Sequence, residues 1–248
     1  MNTSSDNSLK DMIENQTTEQ LSVMQKAGAD IKDCYRLLLK NEEYGNIVRE
    51  VLRDQGDFVE YDHYPDSDVY DVDSFSQYFY HAHRGIDGEN GHFHTFLYSR
   101  GMPEKIEPAP YKGDESLRPQ GDEALSHIIS ISMNPDGYPI GLFSTNRWVT
   151  GETFYKADDV IAMMDNFKMD LLYPSWPVNI WITSMIKLFR PQIEVLLRQR
   201  DQTIGQWQLT NINKDVYEDR DLEVTSQTSI DVDNQIKLVN AELQKRAA

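Results

Sequence analysis

The sequence predicts an α+β fold: an antiparallel sheet built from two hairpins, packed by N-terminal and C-terminal helices. Three observations carry this. Apolar residues recur at helical spacing up to Gly56, aromatic-rich extended segments follow, and helical spacing returns near Lys156. Helices, then strands, then helices is the order of an α+β fold.

Residues 1–17 are polar, with too little apolar surface to pack, and are expected to be a disordered tail that can be removed with little loss of stability. Residues 18–248 are then a single α+β domain. Leu21, Met24, Ile31, Cys34, Tyr35 and Leu38 mark a first helix. Ile47, Val48, Val51 and Leu52 mark a second, with Asn41 and Gly45 between them and Gly56 as the stop. The segments "FVEYDHY", "FSQYFYHAH" and "HFHTFLYS" read as strands. Arg100 to Glu123 is a long loop holding four of the ten prolines. In "SHIISISMNPDGYPIGLFSTN" two strands flank an Asn-Pro-Asp-Gly turn, where Pro135 presets φ and Gly137 accepts positive φ.

"KADDVIAMMDNF" is a short helix with acids in its first turn, which favours the helix dipole. From Ser175, a candidate N-cap, a long helical stretch is apolar nearly all round between Val178 and Leu197 and should run through the core. Pro191 removes a helix hydrogen bond and should kink or split it. "LEVTSQTSI" is a strand candidate, and Val232, Ile236, Val239 and Leu243 form one face of a last helix.

The 248 residues allow ample core, and the net charge of −17, from 41 acids against 24 bases, repels phosphate backbones and anionic lipid. Nucleic-acid and membrane partners are therefore not expected. The most apolar stretch, "VNIWITSMIKLF", is twelve residues long and carries Lys187, too short to span a bilayer. The first twenty residues lack the basic and apolar regions of a signal peptide, so a cytoplasmic location is expected. Cys34 is the one cysteine, and its apolar helical setting reads as a packed, inert thiol.

The segment "HAHRGIDGENGHFH", residues 81–94, gathers four of the six histidines. Side chains alternate along a strand, so His81 and His83 share a face, as do His92 and His94. Three glycines in "RGIDGENG" can turn the chain. With His83 opposite His92 and His81 opposite His94, all four imidazoles lie on one face, about 5 Å apart across strands. A slip of one residue would separate the pairs. Neutral imidazoles hold Fe, Zn, Mn or Cu, and no thiolate competes. Asp87 and Glu89 lie in the turn and can add an oxygen ligand, and Glu89 is also a candidate catalytic residue. The opposing interpretation is a hydrogen-bonded aromatic face shared with Phe79, Phe96 and Tyr98. For His63 and His127 a structural role is favoured.

In "STNRWVTGET", Arg147 is a candidate catalytic residue that can clamp an anionic ligand, and Trp148 a candidate cofactor-binding residue that can stack on a planar one. A strand-to-helix connection anchored by one tryptophan is an equal alternative. The His81-to-Glu89 spacing is shared with cupins, but no glycine precedes the first histidine and the second cupin motif has no histidine here. No P-loop, G-x-G-x-x-G, G-x-S-x-G or H-E-x-x-H occurs.

Through "YFYHAHRGIDGENGHFHTFL", "SISMNPDGYPIGLFSTNRWVTGETFYKADDVIAMMDNF", "YPSWPVNIWITSMIKLFRPQIE" and "DVYEDRDLEVTSQTSIDVDNQI", the chain resembles a bacterial family known only as a domain of unknown function. The likeness covers roughly residues 57 to 240. The resemblance implies a pattern containing His81, His83, His92 and His94, in which Asn90 stands where members often carry histidine. It implies no activity.

Three functions follow as expectations. The first is a metal-dependent enzyme acting on a small molecule, with the ion on the histidine hairpin and Arg147 and Trp148 near the substrate. The second is a non-catalytic metal-binding or ligand-sensing module. The third is a structural or partner-binding protein, with the long apolar helix against a second copy in a homodimer.

Overall fold

The computed structural model describes the backbone of residues 3–40, 45–111 and 113–248, with side chains from Ser8 onward. Its helices are α1 (Thr3–Glu14), α2 (Thr18–Leu38), α3 (Ile47–Leu52), α4 (Arg147–Thr150), α5 (Ala157–Met163), α6 (Trp176–Leu188), α7 (Arg190–Thr210) and α8 (Val232–Ala247). Its strands are β1 (Tyr64–Asp71), β2 (Ser76–His81), β3 (Gly91–Tyr98), β4 (Leu125–Met133), β5 (Pro139–Thr145) and β6 (Val224–Ser229). The strands form one antiparallel sheet in the order of the chain. The mixed helix-and-sheet architecture with helices from both ends is as the sequence predicts.

Helix α2 buries Leu21, Met24, Ala27, Gly28, Ile31, Cys34 and Leu38 along one face. Its start is set by a reciprocal capping box: Gln20 N donates to Thr17 Oγ1 at 3.1 Å and Thr17 N to Gln20 Oε1 at 2.8 Å. Gly28 permits close approach of α8, since a Cβ there would lie 2.7 Å from Ile236 Cγ1. Asn46 caps α3, and of the separating residues expected at 41 and 45, Asn41 falls outside the described residues. The long apolar stretch divides at Phe189, with Pro191 in the first turn of α7. Ser175 occupies the N-cap position of α6, but its hydroxyl makes no capping bond.

Two segments depart from expectation. Residues 58–63 are not a strand. Tyr61 adopts φ +71° and its N–H bonds to Ala82 O at 3.1 Å, which interrupts the extended run. The edge strand starts instead at Tyr64, and its polar sequence, "YPDSDVYD", lacks the apolar alternation that marks a half-buried strand. The N-terminal residues expected as a disordered tail contain α1. Ile13 is buried in the core, and Arg246 of α8 donates to the carbonyls of Glu14 and Gln16, each at 2.8 Å. The buried isoleucine and the C-terminal guanidinium together hold a segment whose composition reads as disordered. Deleting residues 1–16 is therefore expected to lower the melting temperature by about 5–10 °C, given about 2–3 kcal/mol for losing a buried isoleucine. An unchanged calorimetric transition would refute the docking.

The sheet has two unlike faces. Tyr80, Phe93, Ile131 and Leu142 pair across β2 to β5 and enter the main apolar core, where Phe93 packs 5.6 Å from Trp181 of α6. The next rows put Phe79, His94, Ser130 and Phe143 side by side on the opposite face, and beside them His81, His92, Ser132 and Gly141. The helices cover the apolar face, and the histidines occupy the other.

No described helix is long and apolar enough to cross a membrane.

Candidate metal centre

The histidine hairpin forms with a register two residues from the one expected. His81 pairs with His92 and Phe79 with His94, in place of His83 with His92 and His81 with His94. Strand β2 ends at His81, so the turn takes residues 82–90. Gly91 explains the choice. A Cβ there would lie 2.4 Å from Tyr80 Oη and 2.6 Å from His81 O, so only glycine lets Tyr80 and the end of β2 close over this position. A two-residue shift preserves the face of every side chain, and the imidazoles remain together.

Ring centroids are 4.6 Å apart for His81 and His92, 5.0 Å for His81 and His94, and 5.0 Å for His92 and His94. One nitrogen from each lies within 4.8 Å of the other two. An ion with Zn–N bonds of about 2.1 Å places ring centroids about 3.2 Å from the metal, and hence about 4.5 Å apart for octahedral and 5.2 Å for tetrahedral neighbours. The observed separations fall in that interval. All three residues are buried.

The second nitrogen of two rings is accounted for. Glu89 Oε1 accepts from His92 Nδ1 at 2.8 Å, and Arg84 Nη1 donates to Glu89 Oε2 at 3.2 Å. An ionised carboxylate only accepts, so the proton sits on His92 Nδ1 and the lone pair on Nε2. His94 Nδ1 lies 2.9 Å from Ser130 Oγ and 3.1 Å from His127 Nε2, and is spent within the protein. His81 Nε2 and His92 Nε2 are buried and have no hydrogen-bond partner among the described residues. Buried polar atoms are almost always satisfied, and these two unpartnered nitrogens belong, with His94, to a group that could hold a metal ion.

Burial drives the electrostatics. Desolvation, followed by neighbouring imidazoles, pushes His81 down to about 2. Desolvation likewise lowers His92 and His83, and takes His94 well below the usual histidine range. His127 falls to about 3 through burial and then the charge of Arg200. The cluster is thus a set of neutral donors, the form that binds metal.

His83, expected as a fourth ligand, lies beyond the end of β2. It is half-buried, with its ring 4.6 Å from His81 and 5.1 Å from His92, and is stacked on Tyr61 at 5.5 Å. Of the two turn acids, Asp87 is exposed, whereas Glu89 orients His92 and is not among the grouped ligand atoms. His127 is next to His94, and His63 stacks on Phe79 at 3.6 Å with Nδ1 3.0 Å from Asp68 Oδ1.

Arg147 and Trp148 are engaged elsewhere. Arg147 is buried; its Nε donates to Glu218 Oε1 at 2.6 Å, and its Nη1 to Glu152 O at 2.9 Å and Leu117 O at 3.2 Å. Trp148 Nε1 donates to Leu222 O at 2.9 Å, and Arg220 covers its ring. These contacts tie α4 to the loops around it. Replacing Arg147 by alanine strands Glu218 and two carbonyls and is expected to cost about 2–4 kcal/mol of stability. Metal affinity at neutral pH should stay unchanged in the fraction that folds. Thermal denaturation and metal titration on the same sample check both.

Arg84, Ser130 and Phe143 escape a reading of motifs. Arg84 stacks on Phe143, with Cζ 3.9 Å from the ring centroid. Its position directly after His83 was visible; its partner on β5 was not. The alternation in "IISIS" shows that Ser130 and Ser132 share a face, but only the register with β3 brings them to the histidines.

Residues 25–230 match the protein family described as Domain of unknown function (DUF6969), a span beginning earlier and ending earlier than the likeness read from the sequence. Neither the curated proteins nor the solved structures gave a match.

Proposed function

The chain belongs to this domain-of-unknown-function family, and from its geometry we propose that it is a metal-dependent enzyme acting on a small molecule, with a divalent first-row transition ion on His81, His92 and His94. The observation that carries the reading is the pair of buried, unpartnered nitrogens on His81 and His92, one of them with its ring fixed by Glu89. Three neutral imidazoles suit zinc, iron, copper or manganese. Three protein ligands leave coordination positions for water or substrate. An ion there supplies Lewis acidity toward a bound oxygen. Glu89 orients His92 and raises its basicity, which makes it a positioning residue.

A second reading rests on His83. Its ring, close to both His81 and His92, can swing to complete a four-histidine shell, and a closed shell belongs to a binding or sensing module. Cobalt(II) separates the two. In the enzyme reading, one equivalent binds and added azide changes the visible absorption by entering the open position. Bands indifferent to azide select the module. Failure to bind cobalt or zinc stoichiometrically removes both.

A further inference from the structure

The histidine face continues across the sheet into a cleft. Along the row His81, His92, Ser132, Gly141 and Ser229, side chains shrink from imidazoles to a hydroxyl, a hydrogen and a hydroxyl. The space left is a cleft of about 400 Å³ whose walls include Arg84, Glu89, Ser132, Phe143 and Gln227. It shares Glu89 with the metal centre, and the Phe143 ring lies 5.1 Å from that of His92.

Among the described residues the walls carry one cation, Arg84, and one acid, Glu89, and the acid is already spent within the protein. Both oxygens of Glu89 are occupied, one by His92 and one by Arg84. The Arg84 side chain is 7% exposed, and Nη1 is its one nitrogen hydrogen-bonded among the described residues. Arg84 Cζ lies over the Phe143 ring, and Nε and Nη2, which carry no hydrogen bond among the described residues, remain as a pair of donors. Gln227 and Ser229 add polar groups on the same face. Among the described residues, Arg84 is the only cation lining the cleft, in a chain of net charge −17.

We propose that this cleft binds a small organic anion through a carboxylate paired with Arg84, and that such anions are the substrate class of the adjoining centre. The substrate half rests on the metal reading; the binding half does not. A carboxylate matches the guanidinium edge in two parallel hydrogen bonds, and Phe143 and the aliphatic walls take its apolar body.

Benzoate tests this by calorimetric titration of the apo and cobalt(II)-loaded protein, with benzamide as the neutral control. Saturable binding of benzoate to both forms is expected, with benzamide, Arg84→Gln and Gly141→Leu each at least about tenfold weaker. Gly141→Leu fills the cleft and leaves Arg84 in place, so it guards against a trivial effect of disturbing Glu89. Benzoate should also shift the cobalt absorption of the loaded protein. No binding to wild type, or binding indifferent to both substitutions, overturns the cleft assignment. Retained binding with unchanged cobalt bands overturns its assignment as substrate. If cobalt fails to bind while Arg84-dependent benzoate binding persists, the metal reading falls and the anion cleft stands.

Discussion

Replacing His81 and His92 together by alanine is expected to weaken binding of zinc or cobalt by at least about a thousandfold. Structural zinc sites gain about 10–16 kcal/mol from four ligands, or roughly 3 kcal/mol per ligand, so losing two of three protein ligands removes most of the affinity. The two residues supply the unpartnered nitrogens, and their loss leaves His94 with its Nδ1 already committed to Ser130 and His127. Glu89→Ala acts one step removed, by freeing the His92 ring, and should cost about 10–100-fold. Far-ultraviolet circular dichroism shows whether each variant keeps its helices. Calorimetric titration reads the affinity, and wild-type affinity in the folded double variant would sink the ligand assignment.

The second large effect is acid lability of the apo protein. His81, His92, His94 and His127 are buried and held neutral, with folded pKa values below the ordinary one of about 6.5. Above that pH both folded and unfolded chains carry neutral imidazoles, and the four residues contribute no pH dependence. Below it the unfolded chain takes up protons that the folded chain refuses, so stability falls as pH falls. Each such histidine contributes up to about 1.4 kcal/mol per pH unit. Glu152 opposes them. Burial raises it to about 7, so it is protonated in the fold and ionised in the unfolded chain between its ordinary pKa and 7, and it stabilises as pH drops through that window. Four groups outweigh one, and a net loss of about 3–4 kcal/mol per unit below pH 6 is enough to unfold a domain of ordinary stability by about pH 4–5. Bound metal competes with protons for the same imidazoles, so it should move the unfolding midpoint to lower pH. Acid titrations followed by circular dichroism, with and without zinc, measure both. An apo protein equally stable at pH 7 and pH 5 would contradict the neutral cluster.

How much of this was legible in the sequence follows from the range of the interactions involved. Helix α2 was readable because its apolar residues repeat every three or four positions, and the β4–β5 hairpin because Pro135 and Gly137 fix their own backbone angles. Gly137 has φ +78°, and its N–H donates to Asn134 O at 2.9 Å. The grouping of His81, His92 and His94 was readable through parity alone. Their register was not, since it depends on Tyr80 closing over Gly91. Strand β1 escaped detection because an edge strand needs no apolar alternation. Helix α1 escaped because its anchor, Arg246, lies at the other end of the chain. Arg147 looked available to a ligand because its acid, Glu218, is 71 residues away in sequence. Arg84 was hidden for the same reason, with Phe143 on another strand.

X-ray absorption at the metal edge of protein purified without an affinity tag and loaded with one equivalent of zinc bears most directly on the centre. Three imidazole nitrogens are expected at about 2.0–2.1 Å, with the remaining shell completed by light atoms. Multiple-scattering amplitude should fall by about one imidazole in His81→Ala and stay unchanged in His127→Ala. A shell with fewer than two imidazoles, or one unaffected by removing His81, would contradict it.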